Sequence, residues 1–526
     1  MTDRRPYTLT LIASVIVAFS GALAHAQQFE VWKDDRPTKA PAQACAGLRA
    51  LTGYEFSVDI AVAVPAQGDI AAYCRVTGLV QPEVRFEVSL PSAWNGRLYM
   101  FGNGGFAGET LTAGGRASRR NTGVTKGFVV AQTNTGHDGV REPLASFASH
   151  PQKLIDYAYR AVHVTALTAK AIARAYYGAP PSRAYFDGCS TGGRQGLIAA
   201  QRFPDDFDGI VVGAPVLDFT GTMTHYAAIH RALDAAPLSE EKARAIADVV
   251  YRKCDAGDGV ADGLLADPRT CAFDPSADLP RCGAAAGQVC FSDRDIASLN
   301  AIYAGVKAGG RKVFPGFPVG GEAFAPTPAG SRSGWDPWLI RTGQLTISRT
   351  FMETFFKHMA TPGAEVDWRT FDVEKDAAKL DSISALLDAT DPDLSPFRAR
   401  GGRILMYYGW ADPALNPMMG VEYYERVVQT MGAQTPEFYR LFMMPGVFHC
   451  SGGVGPDRVD TITPLIAWVE KGVAPDRLVA TQKVGDAVRR TRPLCVHPQV
   501  AKYRGQGSAD DADSFVCGPP AAAVSK

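Results

Sequence analysis

The stretch GCSTGG, residues 188–193, places a cysteine and a serine between glycines, where an apolar segment gives way to a run with helical spacing. GCSTG matches the pattern G-x-S-x-G, in which a sharp turn between a strand and a helix exposes a serine hydroxyl. Such a turn needs small neighbours, and the helix that follows directs unpaired N–H groups toward the serine. The motif predicts Ser190 as a nucleophile for acyl transfer. The alternative is a glycine-rich turn that contains an ordinary serine.

A serine nucleophile needs a general base and a carboxylate that orients the base. Of the histidines after Ser190, only His449 follows a strong strand pattern, in the glycine-flanked loop PGVFHCSGG. Asp412 ends the preceding predicted strand, in YYGWADP, and the chain order Ser, Asp, His is that of α/β-hydrolases. We expect these three residues to form a catalytic triad. Asp457 and Asp460 are weaker alternatives for the acid because they follow the histidine.

The ten cysteines are an even number, which in an exported chain predicts five disulfides. Sequence alone does not fix their connectivity, but local pairs would close short loops: Cys45–Cys74, Cys254–Cys271, Cys282–Cys290 and Cys495–Cys517. That leaves Cys189, directly before the expected nucleophile, and Cys450, directly after the expected base. Because a disulfide holds its α-carbons within about 7 Å, a bridge between these two would bring nucleophile and base into one neighbourhood.

The N-terminal residues 1–26 have the features of a signal peptide: two arginines, an apolar run and a small-x-small site at Ala24-His25-Ala26. A membrane anchor is the weaker alternative, because the apolar run is short for a bilayer and ends at that site. We expect a periplasmic or secreted chain that begins near Gln27 and has no membrane partner after cleavage. Lys+Arg and Asp+Glu both number 54, so charge gives no indication of a nucleic-acid partner.

The catalytic candidates need a sheet that presents them at one edge. Strand-like segments occupy 73–135, helical spacing follows at 153–177, and then come the strand RAYFD, the glycine turn, a helix to Phe203 and the strand GIVVGAP. This alternation predicts an α/β chain with a mostly parallel sheet and helices on both faces. The pattern stops near Asp218 and returns at GRILMYYGWAD, so we expect residues 219–400 to be inserted between catalytic parts 27–218 and 401–526.

Together these motifs resemble the tannase and feruloyl esterase family of serine hydrolases. The resemblance covers nearly the whole mature chain and includes GCSTGGRQGL, the GNGGFAG loop, CDAGDGVADGLL, PGVFHCSGG and the tail RTRPLCVHPQVAKY. It implies an α/β-hydrolase fold with a large lid domain inserted in the catalytic domain. It also implies catalytic roles for Ser190, Asp412 and His449, and a five-disulfide set that matches the pairing above.

Acyl transfer needs N–H donors aimed at the developing oxyanion. Thr191, the residue after the expected nucleophile, supplies one donor at the start of the helix. The GNGGFAG loop follows a predicted strand and is placed to supply the other, and the family pattern points to Gly105. The alternative is a flexible glycine loop without this role.

The segment CDAGDGVADGLL contains Asp255, Asp258 and Asp262 among glycines that could bend the chain around an ion. Oxygen ligands suit Ca²⁺ rather than zinc, but the spacing is not that of an EF-hand, and spacing alone favours a solvated acidic turn. The family resemblance reverses this preference. It implies a structural calcium ion bound by the three aspartates and by the backbone carbonyls of Val260 and Leu264.

The insertion carries an aromatic group formed by Trp335, Trp338, Phe351, Phe355 and Phe356. Aromatic walls suit a planar acyl group such as galloyl, feruloyl or terephthaloyl. Packing within the lid's own core is nevertheless the better explanation for most of these side chains. The resemblance assigns Trp338 to a position that faces the substrate.

Family members that cleave a terephthalate half-ester hold its free carboxylate with a lid arginine. That position is uncharged here, with Arg349 a few residues on; they also have an aromatic residue at Leu415 and a glutamate at Thr191. We expect a serine carboxylesterase for small esters of aromatic acids, with no organic cofactor and a pocket that includes Trp338, Arg349 and Leu415. The alternatives are an esterase for aliphatic or hydroxyacid esters and a non-catalytic binding protein on a hydrolase scaffold.

Overall fold

The computed structural model describes residues 29, 32–34, 36–283, 289–327, 330–341, 343–361 and 366–521. The expected signal peptide, residues 1–26, lies outside them. The strands are β1 (Ser57–Val64), β2 (Tyr73–Val80), β3 (Val84–Pro91), β4 (Arg97–Phe101), β5 (Val129–Thr133), β6 (Arg183–Cys189), β7 (Gly209–Gly213), β8 (Val306–Ala308), β9 (Arg311–Phe314), β10 (Phe324–Thr327), β11 (Gly330–Ser333), β12 (Arg403–Gly409), β13 (Tyr439–Met444), β14 (Arg477–Val484), β15 (Ala487–Cys495), β16 (Val500–Tyr503) and β17 (Phe515–Gly518). The α-helices are α1 (Gly114–Thr125), α2 (Pro151–Ile155), α3 (Ala161–Tyr177), α4 (Thr191–Arg202), α5 (Phe219–Ala235), α6 (Glu240–Cys254), α7 (Pro275–Asp278), α8 (Asp293–Tyr303), α9 (Trp335–Trp338), α10 (Ile347–His358), α11 (Val373–Asp376), α12 (Asp381–Leu387), α13 (Ser395–Ala399), α14 (Pro417–Met431) and α15 (Ile462–Lys471).

One large sheet forms the centre of the molecule. Its nine strands follow the order β1-β2-β3-β5-β4-β6-β7-β12-β13. The first three and β5 pair antiparallel, whereas β5, β4, β6, β7, β12 and β13 run parallel to one another. This confirms the predicted α/β class. Because parallel strands share a direction, the loops after β4, β6, β12 and β13 lie at one edge of the sheet.

Both faces of the sheet are buried. In β4, Leu98 and Met100 pack in the same core cluster as residues of α3 and α4, whereas Tyr99 and Phe101 pack on the opposite side with residues of α1 and α15. All four side chains are at most 1% exposed. Strands covered on both faces need apolar residues at successive positions, which explains the continuous apolar runs in the sequence.

The helix predicted at 153–177 is interrupted by a π-helical segment. It begins as α2, continues as a π-helix at Asp156–Arg160, and resumes as α3. Gly178, directly after the predicted range, ends the helix in the left-handed conformation with φ 68°. π-segments inside helices often occur near functional sites, and this one carries Tyr157, whose hydroxyl donates to the carbonyl oxygen of Gly105 at 3.1 Å.

The insertion lies between two strands that are neighbours in the sheet. β7 and β12 pair directly, and the chain between them contains α5–α13 and the hairpins β8–β9 and β10–β11. The expected limits of the lid, 219 and 400, fall between these strands. The N–H of Ala389 donates to the carbonyl oxygen of Leu217 at 2.7 Å. The segments that enter and leave much of the insertion therefore run side by side.

The chain after α15 forms two further hairpins, β14–β15 and β16–β17, which the sequence patterns did not predict. Exposed valines occur in the first of them: Val479, Val484 and Val488. Because these valines are exposed, the apolar pattern of this segment does not mark a buried face. Among the helices of the described residues, none combines the length and the apolar character that crossing a bilayer requires.

Candidate active site

Ser190 lies at a sharp turn between β6 and α4. Its backbone has φ 63° and ψ −124°, a strained conformation of the kind that costs about 1–3 kcal/mol and is concentrated at functional sites. The Ser190 N–H donates to the carbonyl oxygen of Gly213 at 3.0 Å, which fixes the turn against β7. A Cβ atom at Gly188 would lie 2.4 Å from the backbone of Gly192. One at Gly193 would lie 2.4 Å from the Gly213 oxygen, so the turn requires these glycines.

Asp412, after β12, and His449, after β13, are joined by a hydrogen bond. His449 Nδ1 lies 2.8 Å from Asp412 Oδ2. The other carboxylate oxygen, Oδ1, accepts the backbone N–H groups of Ala414 and Leu415, both at 2.8 Å. The carboxylate is buried and held by the backbone that follows it. With Nδ1 donating to this acceptor, Nε2 of the neutral imidazole is available to accept a proton.

A disulfide links the serine turn to the histidine loop. Cys189 and Cys450 are bonded, with their α-carbons 6.0 Å apart. His449 Nε2 lies 3.7 Å from Cys450 Sγ, so this edge of the imidazole faces the bridge that continues into the Ser190 turn. The structure therefore brings the three triad candidates to the same edge of the sheet.

The remaining disulfides also match the pairing expected from the sequence, which is confirmed. They are Cys45–Cys74, Cys254–Cys271, Cys282–Cys290 and Cys495–Cys517.

The two residues expected to supply oxyanion donors are in contact. The Thr191 hydroxyl donates to the carbonyl oxygen of Gly105, which also accepts the hydroxyl of Tyr157 at 3.1 Å. Thr191 is the first residue of α4, a position where the N–H has no partner within the helix. Gly105 has φ 51°, and a Cβ atom there would lie 3.2 Å from the ring of Phe351. The Gly105 peptide is thus fixed beside the start of α4.

Side chains that the sequence patterns did not single out hold the GNGGFAG loop in place. Asn103 Nδ2 donates to Glu109 Oε2 at 2.7 Å and to the carbonyl oxygen of Thr133 at 2.8 Å. Arg116 of α1 pairs with the same Glu109 carboxylate. The Asn103 N–H donates to Gln195 of α4 at 3.1 Å. These contacts join elements that are far apart in the sequence. The only signal for them in the sequence is that Asn103 lies within the glycine motif.

The lid brings two aromatic side chains to the site. The Trp338 ring centroid lies 5.3 Å from that of His449, with the planes at 79°. The Phe351 ring lies 4.8 Å from that of Phe106 in the GNGGFAG loop. The other lid aromatics named above are buried and have ring contacts with other residues of the insertion: Trp335, Phe355 and Phe356.

Comparison with known proteins places this arrangement in a family. The family model for tannase and feruloyl esterase matches residues 68–518. The chain belongs to the tannase and feruloyl esterase family. An uncharacterised esterase from Xanthomonas campestris is 35% identical over 91% of this chain and 92% of its own length. Mono(2-hydroxyethyl) terephthalate hydrolase from Piscinibacter sakaiensis is 30% identical over 87% of both chains.

A solved structure agrees with this assignment. The crystal structure of feruloyl esterase B from Aspergillus oryzae matches with a TM-score of 0.78 and 26% identity, covering 90% of this chain and 99% of that one. As a member of the tannase and feruloyl esterase family, the chain is a carboxylic ester hydrolase with an α/β fold.

In this chain, two residues expected to line the substrate pocket contact other protein residues instead. The Arg349 guanidinium pairs with Asp234 and with Glu353, the latter at 2.9 Å. It also lies over the ring of Trp368, 5.3 Å from the centroid. Leu415 is 6% exposed and packs in the main core, while its backbone N–H supports the acid candidate. A role of either side chain in binding substrate stays a prediction.

Two aspartates of the expected calcium loop are engaged with protein groups. Asp255 accepts the three successive backbone N–H groups from Asp262 to Leu264, at 3.0–3.2 Å. Asp262 Oδ2 pairs with the guanidinium of Arg492, and both side chains are buried. An arginine therefore already balances the charge of Asp262.

The third aspartate, Asp258, accepts the N–H of Val260 at 3.2 Å. Burial and the neighbouring Asp262 charge raise the pKa of its carboxyl to about 6. Throughout the described ranges, no group of three His, Cys, Asp or Glu side chains is arranged to hold a metal ion. The calcium site, with the carbonyls of Val260 and Leu264, stays a prediction.

Proposed function

We propose that this chain is an exported serine carboxylesterase that hydrolyses small esters of aromatic acids through Ser190, His449 and Asp412. One observation carries the proposal. His449 forms a 2.8 Å hydrogen bond with Asp412. It lies on a loop that the Cys189–Cys450 disulfide ties to the strained turn of Ser190. A base held in one tautomer, on a loop that a disulfide ties to a serine at a strained turn, supports a role in acyl transfer.

The proposed reaction proceeds in two halves. Ser190 Oγ attacks the ester carbonyl carbon while His449 Nε2 takes the hydroxyl proton, and the N–H groups of Thr191 and Gly105 stabilise the oxyanion that forms. The tetrahedral intermediate collapses, His449 returns the proton to the leaving alcohol, and the acyl group stays on Ser190. Water, deprotonated by His449, then attacks the acyl-enzyme, and the acid leaves as Ser190 regains its proton. Asp412 holds the imidazole and stabilises its positive charge in both halves.

Aromatic acyl groups are the proposed substrate class because of the side chains around the triad. Trp338 lies against His449, and Phe351 lies against the GNGGFAG loop. Flat apolar surfaces of this kind favour a planar acid of the feruloyl, galloyl or terephthaloyl type. The names of two relatives, a feruloyl esterase and a terephthalate half-ester hydrolase, support the same class.

Export to the periplasm or the exterior is proposed from two features. Residues 1–26 have the composition of a signal peptide. The five disulfides are of the kind that forms and persists in oxidising compartments.

Covalent labelling tests the proposal. A fluorophosphonate probe is expected to label the wild-type chain at Ser190, whereas Ser190→Ala abolishes both labelling and p-nitrophenyl ester turnover with an unchanged circular dichroism spectrum. Ser118→Ala, at an exposed serine of α1, is the matched control and keeps both. Labelling or turnover retained by Ser190→Ala would place the nucleophile elsewhere. A panel of feruloyl, galloyl, terephthaloyl and aliphatic esters of one alcohol then tests the substrate class.

A further inference from the structure

A second serine–histidine pair lies inside the lid. His230 on α5 and Ser348 on α10 are 3% and 0% exposed, respectively. His230 Nε2 lies 2.8 Å from Ser348 Oγ. Both side chains are enclosed, so no ester can reach this hydroxyl, and the pair must act on its protein neighbours.

The hydrogen bonds of this pair have a defined direction. The Ser348 hydroxyl donates its single hydrogen to the carbonyl oxygen of Trp338. The nearby His230 Nε2 must therefore carry a hydrogen and donate it to Ser348 Oγ. Burial, and to a smaller extent the charge of Arg349, lower the pKa of His230 to about 4, so the imidazole is neutral near pH 7.

The chain of hydrogen bonds ends at the residue that contacts the catalytic base. It runs from α5 through α10 to Trp338, the last residue of α9, and we call it the His230–Ser348–Trp338 relay. α9 is short and irregular, with non-helical angles at Asp336 and Pro337, so its own helical hydrogen bonding fixes Trp338 poorly. A hydrogen bond from a buried donor on a longer helix supplies that restraint.

We propose that His230 and Ser348 are positioning residues that hold the Trp338 ring beside His449 and thereby set the affinity for aromatic acyl groups. The inference rests on the proposed function, since it assigns the ring a role in binding the acid part of the ester. The Trp338 ring lies 5.3 Å from that of His449. A shift of its backbone would move the surface on which the acyl group packs.

The lid offers a matched control in Ser298 on α8, which is also fully buried. Its hydroxyl donates to the carbonyl oxygens of Ala232 and Ala236, at 3.0 and 2.9 Å. Ser298→Ala removes the same chemical group from the same lid, but its two acceptors are carbonyl oxygens at the C-terminal end of α5, and it makes no hydrogen bond to Trp338. It therefore reports the cost of losing a buried hydroxyl without displacing Trp338.

The experiment compares p-nitrophenyl ferulate with p-nitrophenyl acetate, which share a leaving group and differ in the acyl group. In Ser348→Ala, the ratio of the two kcat/KM values, ferulate over acetate, is expected to fall roughly fivefold through KM, the scale of one net hydrogen bond. Ser298→Ala is expected to keep the wild-type ratio while lowering Tm. An unchanged ratio in Ser348→Ala, or the same fall in Ser298→Ala, would overturn the inference.

Two further variants keep the test open if Ser348→Ala does not fold. His230→Gln keeps an N–H donor and is expected to retain the wild-type ratio, whereas His230→Leu lowers it as Ser348→Ala does. In a Trp338→Ala background, Ser348→Ala should change the ratio by less than about twofold, because coupled residues are not additive. The relay would be contradicted if the two His230 variants gave the same ferulate-to-acetate ratio. It would also be contradicted if Ser348→Ala lowered that ratio equally with and without Trp338→Ala.

The wild-type enzyme separates the two levels of failure. A wild-type chain that neither reacts with fluorophosphonate nor hydrolyses either ester would overturn the proposed function together with this inference. A labelled, active wild type whose lid variants fail the ratio test would overturn the relay alone.

Discussion

The edge of the sheet and the lid differ in how their residues are held. At the sheet edge, backbone geometry fixes the candidates: Ser190 has φ 63° and ψ −124°, and Asp412 accepts two backbone N–H groups. In the lid, side chains supply the restraints. The carboxylates of Asp234 and Glu353 bind Arg349, and the hydroxyl of Ser348 donates to the backbone carbonyl of Trp338. The proposed chemistry thus rests on a backbone frame, whereas the proposed acyl-binding surface rests on contacts made by lid side chains.

This difference predicts that the same sheet edge can support hydrolysis of esters of many different acids. The backbone frame at the edge depends on glycines, cysteines and strand ends, and changes to these should slow the reaction itself. Lid side chains can change partners without disturbing that frame, because the lid is inserted between β7 and β12 rather than built into the sheet. Substitutions at the two regions should therefore differ in kind, one removing catalysis and the other altering selection.

The largest effect is expected at the frame. Asp412→Asn should lower kcat for a p-nitrophenyl ester by about 10⁴-fold, since an amide no longer holds His449 in the required tautomer. Steady-state kinetics on protein with an unchanged melting curve measures this. Asp457→Asn, at the weaker candidate for the acid, is the control and should stay near wild type. A loss at Asp457 that equals the loss at Asp412 would reverse the assignment of the acid.

The disulfide between Cys189 and Cys450 should matter for both stability and rate. Its partners are 261 residues apart in sequence, and removing a native disulfide typically costs about 2–5 kcal/mol. Replacing both cysteines by alanine should lower Tm. It should also lower kcat at least about tenfold, because it frees the Ser190 turn from the loop of His449. Misplacing a catalytic group by about 1 Å can cost about 10²-fold in rate.

The pair Cys495 and Cys517 serves as the control for this measurement. It staples the C-terminal hairpins, so its removal should lower Tm without changing kcat, measured well below both melting temperatures. A Cys189→Ala, Cys450→Ala protein that folds and keeps the wild-type kcat would show that the sheet alone aligns nucleophile and base.

Short-range constraints made the frame predictable from sequence. The glycines around Ser190 are required by contacts within the turn and with the adjacent strand, and β6 and α4 lie where the pattern predicted them. Pairing neighbours along the chain suggested four disulfides and left one long-range bridge, and the family resemblance implied the same set. These signals are local, so a single sequence shows them.

The rest depends on contacts that form only on folding. β1 was not predicted: it is an edge strand on which Ile60 and Val62 are 52% and 45% exposed, so its apolar residues do not mark a buried face. The π-segment at Asp156–Arg160 leaves the helical spacing nearly unchanged. The partners of Arg349 lie on its own helix and on α5, and nothing in the spacing indicates that these carboxylates bind the guanidinium.

The junction of lid and sheet should be sensitive to pH. Asp218 caps α5 by accepting the Gly221 N–H at 2.8 Å, and Asp388 accepts the N–H groups of Phe219 and Thr220 at the same helix end. Burial and the Asp388 charge raise the pKa of Asp218 to about 7. At pH values between the unfolded pKa of 3.8 and the folded pKa of about 7, the folded state keeps a proton on Asp218 that the unfolded state has lost. Stability therefore falls as pH rises through this window.

Asp218→Asn tests this dependence because asparagine keeps the capping oxygen and removes the charge. The wild type should lose stability between about pH 4 and pH 7, on the order of 1 kcal/mol or more, and the variant should lose less. Thermal melts across the range measure both slopes, with Asp460→Asn, at a carboxylate that also accepts an N–H near a helix start, as the control. Parallel slopes in wild type and Asp218→Asn would show that other groups dominate the pH dependence.

The smallest effect is expected at Arg349. Two partly exposed carboxylates already neutralise its guanidinium, so a free carboxylate on a substrate would have to displace one of them, and exchanging one such ion pair for another gains little. Arg349→Gln should therefore lower Tm but change KM for monomethyl terephthalate relative to dimethyl terephthalate by less than about twofold, within the range of an exposed ion pair. A selective rise in KM for the monoacid would instead show that Arg349 leaves Asp234 and Glu353 to bind substrate. That result would make the lid a region whose side chains change partners when the ester binds, whereas the sheet edge keeps one arrangement throughout.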